Sequence, residues 1–124
     1  MRYTITPSEE GPYIEVKYFG GITREEAIKA TVESHAVGKK HGINRYLVDA
    51  TEATNVESVF SNYSFAYEDL VKADIDRFAR VALLVRPDDT SHDFVETSSI
   101  NAGYNVTLFR SRDRAVKHLM DSSL

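Results

Sequence analysis

Residues 78–85, Phe-Ala-Arg-Val-Ala-Leu-Leu-Val, form the most apolar stretch of the chain, nearly unbroken by polar side chains. A strand of alternating polarity can keep one face in water. A run like this one needs cover on both faces, as a parallel sheet flanked by helices provides. Arg86-Pro87-Asp88-Asp89 then ends it with turn chemistry.

The rest of the chain supplies such a setting. Residues 3–6 and 13–19 are rich in Tyr, Ile, Val and Thr and are separated by Pro7-Ser8-Glu9-Glu10-Gly11-Pro12, which predicts a hairpin. In the second strand Ile14, Val16 and Tyr18 share the face expected to meet a core, with Tyr13, Glu15, Lys17 and Phe19 on the other. Gly20-Gly21 is expected to break that strand, and Thr23 with Glu26 forms a capping box that opens a helix to about His41. Gly42 suits the left-handed residue after the helix, and Lys39, Lys40 and His41 suit the negative end of its dipole.

Tyr46-Leu47-Val48 reads as a short buried strand ending at Asp49. Thr54 with Glu57 reads as a second capping box, opening a helix to about Lys72. Thr90 or Ser91 is expected to cap a third helix that Gly103 ends. Residues 105–110 read as the last strand. Ser111 is expected to cap a final helix with an apolar stripe of Ala115, Val116, Leu119 and Met120. The order is β-β-α-β-α-β-α-β-α, an α/β architecture with a mixed sheet, helices packed on it, and right-handed crossovers.

Composition narrows what such a domain does. A chain of 124 residues fits one domain, and at this size roughly two-thirds of the unfolded surface can be buried. Apolar residues at 42% and charged ones at 27% are ordinary for a globular protein and argue against disorder or a coiled coil. The absence of cysteine excludes disulfides and thiolate-held metals and agrees with a reducing compartment. With no basic stretch leading into an apolar run at the start, no signal peptide is expected. The longest apolar stretch, residues 81–85, is too short for a bilayer, so a cytoplasmic location is the default. The net charge is −4, and only Arg110, Arg112 and Arg114 cluster, alternating with Ser111 and Asp113 as in a solvated helix start. Nucleic acid is not an expected partner.

The element order combines with Tyr13-Ile14-Glu15-Val16 running into Gly20-Gly21-Ile22-Thr23, with Tyr46-Leu47-Val48-Asp49, and with residues 103–109 before Ala115. Together these patterns resemble the SpoIIAA-like branch of the STAS superfamily, whose bacterial members also share features with part of the CRAL-TRIO lipid-binding fold. The resemblance covers nearly the whole chain and implies a SpoIIAA-like fold. In that superfamily's anti-sigma-factor antagonists a strand ends in Asp-Ser-Ser/Thr-Gly, and the first Ser is phosphorylated. The corresponding stretch here is Asp49-Ala50-Thr51-Glu52-Ala53-Thr54-Asn55-Val56-Glu57-Ser58, without that motif. Glu52 and Glu57 would repel a phosphate, which leaves Thr54 and Ser58 as poor substitutes.

Candidate binding residues concentrate around the same stretch. Asp49 would close a strand at the carboxyl edge of a parallel sheet, where α/β proteins place ligands, and Thr51, Glu52 and Thr54 add a polar rim. The alternative role for Asp49 is to satisfy loop amides. Val56, Phe60, Tyr63, Tyr67, Leu70 and Val71 fall on one helical side, either as core or, for Phe60, Tyr63 and Tyr67, as pocket lining. Phe65 sits almost opposite that stripe among Ser58, Ser61, Glu68, Asp69 and Lys72, as a lone exposed residue or an anchor for a partner or second subunit.

Asp88, Asp89, His92 and Asp93 are acidic-rich enough to suggest a cation, but they lack the glycine pivot of a calcium loop and sit where a helix dipole favours acids. His35 reads as packed in mid-helix, His41 as a dipole partner, and His118 as leaning toward solvent. There is no G-x-G-x-x-G and no P-loop motif. The expectation is a non-enzymatic, STAS-like regulatory or protein-interaction module, self-associating as a homodimer through an exposed aromatic helix face. The alternative is a carrier of a small apolar molecule or lipid. An enzyme using Asp49 or a histidine is the third reading. No cofactor or metal is called for.

Overall fold

A computed structural model describes residues 3–55, 76 and 78–121. Its strands are β1 (Tyr3–Pro7), β2 (Ile14–Ile22), β3 (Arg45–Asn55), β4 (Arg80–Leu84) and β5 (Asn105–Phe109). Its helices are α1 (Arg24–His41), α2 (Asp93–Asn101) and α3 (Arg112–Met120). The strands form one sheet in the order β1-β2-β3-β4-β5. β1 runs antiparallel to β2, and every later pair is parallel. The expected helix between the third and fourth strands lies outside the described residues.

Because successive strand residues point to opposite faces, the sheet builds two cores. On one face Tyr3, Ile14, Val16, Tyr18, Tyr46, Ala50, Leu83 and Val85 pack with Ile22 and with Ala30 of α1. On the other Tyr13, Leu47, Ala82 and Leu84 pack with Ala115 and Leu119 of α3. β4, which carries the apolar run, therefore contributes to the cores on both faces. Tyr13 corrects the expected division of β2. It lies on the face opposite Ile14 and is nevertheless fully buried, because α3 folds back over that face.

The helix ends follow their local signals. Thr23 caps α1, its Oγ1 accepting from the Glu26 amide at 3.2 Å. Gly42 adopts φ 67°, and the amides of Gly42 and Ile43 donate to the carbonyls of Lys39 and Gly38, a closure that needs a left-handed residue. α2 ends in the same way at Gly103, φ 94°, where Gly103 and Tyr104 donate to Ile100 and Ser99. Ser111 caps α3, and the far end of that helix is held by arginines from the sheet. Arg45 donates to the Leu119 carbonyl at 2.8 Å, and Arg80 to those of His118, Leu119 and Asp121.

Several sequence expectations are overturned. Gly20-Gly21 does not break β2. The register shifts between Lys17 and Phe19, where β3 carries one extra residue, and Gly20, at φ 74°, and Gly21 then pair in regular order with Ala53 and Thr54 as the ladder continues to Ile22. β3 does not stop at Asp49 but runs to Asn55, because the second half of β2 continues to pair with it. Thr54 thus sits in a strand opposite Gly21 and is not a helix cap. Phe78 lies outside β4 and is 88% exposed. It belongs to a turn in which its amide donates to Asp76 Oδ1 at 2.8 Å, and pairing begins only at Arg80. Met120, assigned to the apolar stripe of the last helix, is 40% exposed. Among the described residues no helix is long and apolar enough to cross a membrane.

Candidate functional site

Asp49 is the last residue of β3 paired on both sides, opposite Lys17 of β2 and Leu84 of β4. Its neighbours Val48 and Ala50 join the α1-side core, so its carboxylate turns toward the α3 face. It is 5% exposed. Oδ1 accepts from the Thr51 amide at 2.9 Å and from Thr51 Oγ1 at 2.7 Å, bracing β3 where its register with β2 shifts. Oδ2 faces Arg112 Nη1 at 3.8 Å. Asp49 thus satisfies the amide of Thr51 and orients its hydroxyl, but inside a continuing strand and not at a turn as the alternative had it.

Arg112, in the first turn of α3, is the hinge of a charged row. Its Nη1 donates to Glu15 Oε1 at 2.8 Å, and this bond pushes its affinity for protons further up. Next along β2, Lys17 Nζ pairs with Glu52 Oε2 at 2.7 Å, which likewise raises the lysine, and sits 5.6 Å from the centre of the Phe19 ring. Arg112 thus stands between the carboxylates of Glu15 and Asp49, and Lys17 pairs with Glu52, so each cation of the row lies beside a carboxylate of β2 or β3.

A second cluster forms where β4 stops and β3 continues alone. Arg86 follows β4, and its Nη1 donates to the carbonyls of Thr51 at 2.8 Å and Ala53 at 3.3 Å, taking over the edge β4 has left. Its Nη2 reaches Thr54 Oγ1 at 3.4 Å and Asp89 Oδ2 at 3.5 Å. Asp89 is buried. Burial opposes its ionisation, but its bonds from the Ser91 side chain and amide, with His92 and Arg86 nearby, hold the carboxyl below its ordinary range. His92 is buried beside it, Nε2 to Oδ2 at 3.6 Å, and hydrogen-bonds the Ala53 backbone. Burial lowers His92 more than Asp89 raises it, so the ring is neutral near pH 7. The cluster braces the projecting end of β3 with internal pairs.

Of the sequence candidates, the structure brings Asp49 and Thr51 together and gives Thr54 to Arg86. Ser58, Phe60, Tyr63, Phe65 and Tyr67 lie outside the described residues, as do the pocket and exposed-aromatic readings built on them. In the acidic run, Asp88 and Asp89 turn to Arg86, and Asp93 pairs with Arg110 at 3.3 Å. Among the described residues no group of three or more His, Cys, Asp or Glu is placed to hold a metal. His35 packs as expected, its ring stacked on Tyr46 at 4.2 Å, and burial lowers it to about 4. His118 does not lean into solvent. It is half-buried against Phe109, ring centres 5.2 Å apart.

The sequence reading missed Arg86 and Arg112 as organising residues. Arg86 had a signal, a cation directly after the most apolar strand in a tight turn. Arg112 had none, since its partner Glu15 is 97 positions away.

Neither a family model nor a curated protein matches the sequence. Among solved structures the chain is similar to an uncharacterised protein of the DUF3478 family with a SpoIIAA-like fold, from Shewanella loihica PV-4. The TM-score is 0.59 at 18% identity, covering 94% of this chain and 91% of that one. This chain has the SpoIIAA-like fold. Identity at this level carries the architecture and not the activity, so the role must be argued from this chain's own surfaces.

Proposed function

We propose that this protein is a non-enzymatic regulatory or interaction module, acting through the open half of its sheet. The observation that carries the reading is uneven cover on the α3 face. α3 packs on β3, β4 and β5, while over β1 and β2 the side chains of Thr4, Thr6 and Phe19 are exposed and those of Glu15 and Lys17 half-buried. Its charges are already ordered by the pairs Arg112–Glu15 and Lys17–Glu52, with Phe19 beside them. A flat, ordered surface of mixed polarity with an aromatic is what a protein partner recognises.

Several polar groups of the site are turned to a neighbour within the protein, while Asp89 Oδ2 and His92 Nε2 are buried without a hydrogen-bond partner among the described residues. Asp49 holds Thr51, and Asp89 holds Ser91 and Arg86.

Quantitative affinity capture from the native cell extract, comparing wild type with the double variant Lys17→Glu, Phe19→Ala, tests the reading. A protein recovered in stoichiometric amounts by wild type and lost by the variant is the expected result. Equal recovery by both, or none above a control bait, overturns it.

A further inference from the structure

The strongest unused feature is the backbone of β1. In an antiparallel pair, residues whose amide and carbonyl face the partner strand alternate with residues whose groups face away. The Ser8 amide donates to the Tyr13 carbonyl at 2.9 Å, and Ser8 follows Pro7 in the register that sets Pro7 opposite Ile14. Counting back from Ser8, Thr6 and Thr4 turn their backbone groups to β2, and Pro7, Ile5 and Tyr3 turn theirs outward. Pro7 fits this parity, since it has no amide to offer a neighbour.

β1 is an outer strand, and among the described residues no hydrogen bond satisfies the outward backbone of Ile5. The other outer strand is treated differently. On β5 the Leu108 amide donates to the Glu96 carboxylate of α2, which occupies that edge. A free edge is a template for a further strand.

We infer that β1 pairs with β1 of a second copy of this chain, antiparallel and about a two-fold axis at Ile5. This goes beyond the open-face reading, because it uses the edge of the sheet and not its surface. In this register Ile5 of each copy exchanges both backbone bonds with Ile5 of the other. The Tyr3 amide donates to the Pro7 carbonyl of the second copy, so the missing proline donor is asked for only once in each symmetric half. Hydrogen-bond polarity is thus self-complementary except at the Tyr3 carbonyl of each copy, which meets the proline. The faces also match. Thr4 meets Thr6 of the second copy on the exposed side, and the half-buried Ile5 meets its own counterpart on the α1 side. An isologous contact of this kind closes on itself and leaves no growing edge, because the far edges carry Glu96.

Two variants test the pairing. Ile5→Pro removes an outward amide without taking a donor from the ladder to β2, and trims a half-buried side chain on the α1 side. By sedimentation equilibrium the wild type is expected to be a dimer and Ile5→Pro a monomer with the same circular dichroism. The chain has no cysteine, so the register can also be read by mixing Thr4→Cys with Thr6→Cys under mild oxidation. A disulfide-linked heterodimer should form in the mixture, and little should form from either variant alone. A wild type that stays monomeric at millimolar concentration overturns the inference. So does a dimer that survives Ile5→Pro, or cross-linking by Thr4→Cys alone. The open-face reading is separate, since capture of a different protein through Lys17 and Phe19 does not depend on the dimer.

Discussion

On its α3 side the sheet presents two different surfaces. Over β3, β4 and β5 the helix seals Leu47, Ala82 and Leu84 beneath Ala115 and Leu119. Over β1 and β2 the same face shows Thr4, Thr6, Glu15, Lys17 and Phe19. Arg112 stands at the boundary, rooted in the helix and bonded to Glu15 of the open half. The residues of β2 are no less strand-like than those of β4. What differs is whether, among the described residues, a helix returns over them on this face, and that decides which side chains are core and which can meet a partner.

The contrast is broken most severely from the sealed half. Leu119→Ala empties a fully buried position and should cost about 3 kcal/mol in urea unfolding, whereas Thr6→Ala on the open half should stay within about 0.5 kcal/mol. Equal costs would mean that α3 does not divide the face.

The opposite face offers a control, because there α1 packs over β1 and β2. Gly38 lies under Tyr46, and a Cβ would stand 2.6 Å from the Ile43 carbonyl and closer still to the Tyr46 hydroxyl. Gly38→Ala should therefore lose about 2 kcal/mol despite the better helix propensity of alanine, measurable as a lower midpoint at unchanged slope.

Acid should act through the same covered side. His35, stacked on Tyr46, is held by burial at about 4 against an ordinary 6.5, with Asp76 opposing weakly. Between these values the unfolded chain takes up a proton that the folded one refuses, so stability falls as pH drops from 6.5 toward 4 and is unaffected by this group above 6.5. The loss should be on the order of 2 kcal/mol once partial exposure is allowed for. His35→Phe should flatten the curve of midpoint against pH. His92, lowered in the same direction, would leave a smaller slope behind.

The smallest effect belongs to the boundary itself. Arg112→Met breaks the partly exposed pair with Glu15 and should cost under about 0.5 kcal/mol, vanishing at high salt. If it instead weakens partner capture several-fold, the ordered charges of the open half matter for recognition more than for stability.

How much was legible follows from the range of each signal. Thr23, Gly42, Gly103 and Ser111 mark helix ends through bonds spanning a few residues, and each sits where its type predicted. Asp49 and Thr51 were each legible as candidates, but their bond appears only in the structure, where β3 runs on past Asp49. Gly20-Gly21 misled because glycine permits either a break or a continued strand, and only the continuing partner β3 selects the strand. Thr54 misled because a capping box and a strand residue look alike until a neighbour supplies the ladder.

By itself the sequence determined the α/β class, the alternating faces of β2 and the cover demanded by residues 81–85, since periodicity and capping are properties of neighbouring residues. Tertiary structure alone decided that Tyr13 is buried, that β3 outruns β4 so that Arg86 must take its place, and that Arg112 meets Glu15. Those outcomes depend on where distant segments return across the sheet, and no local pattern carries the geometry of that return.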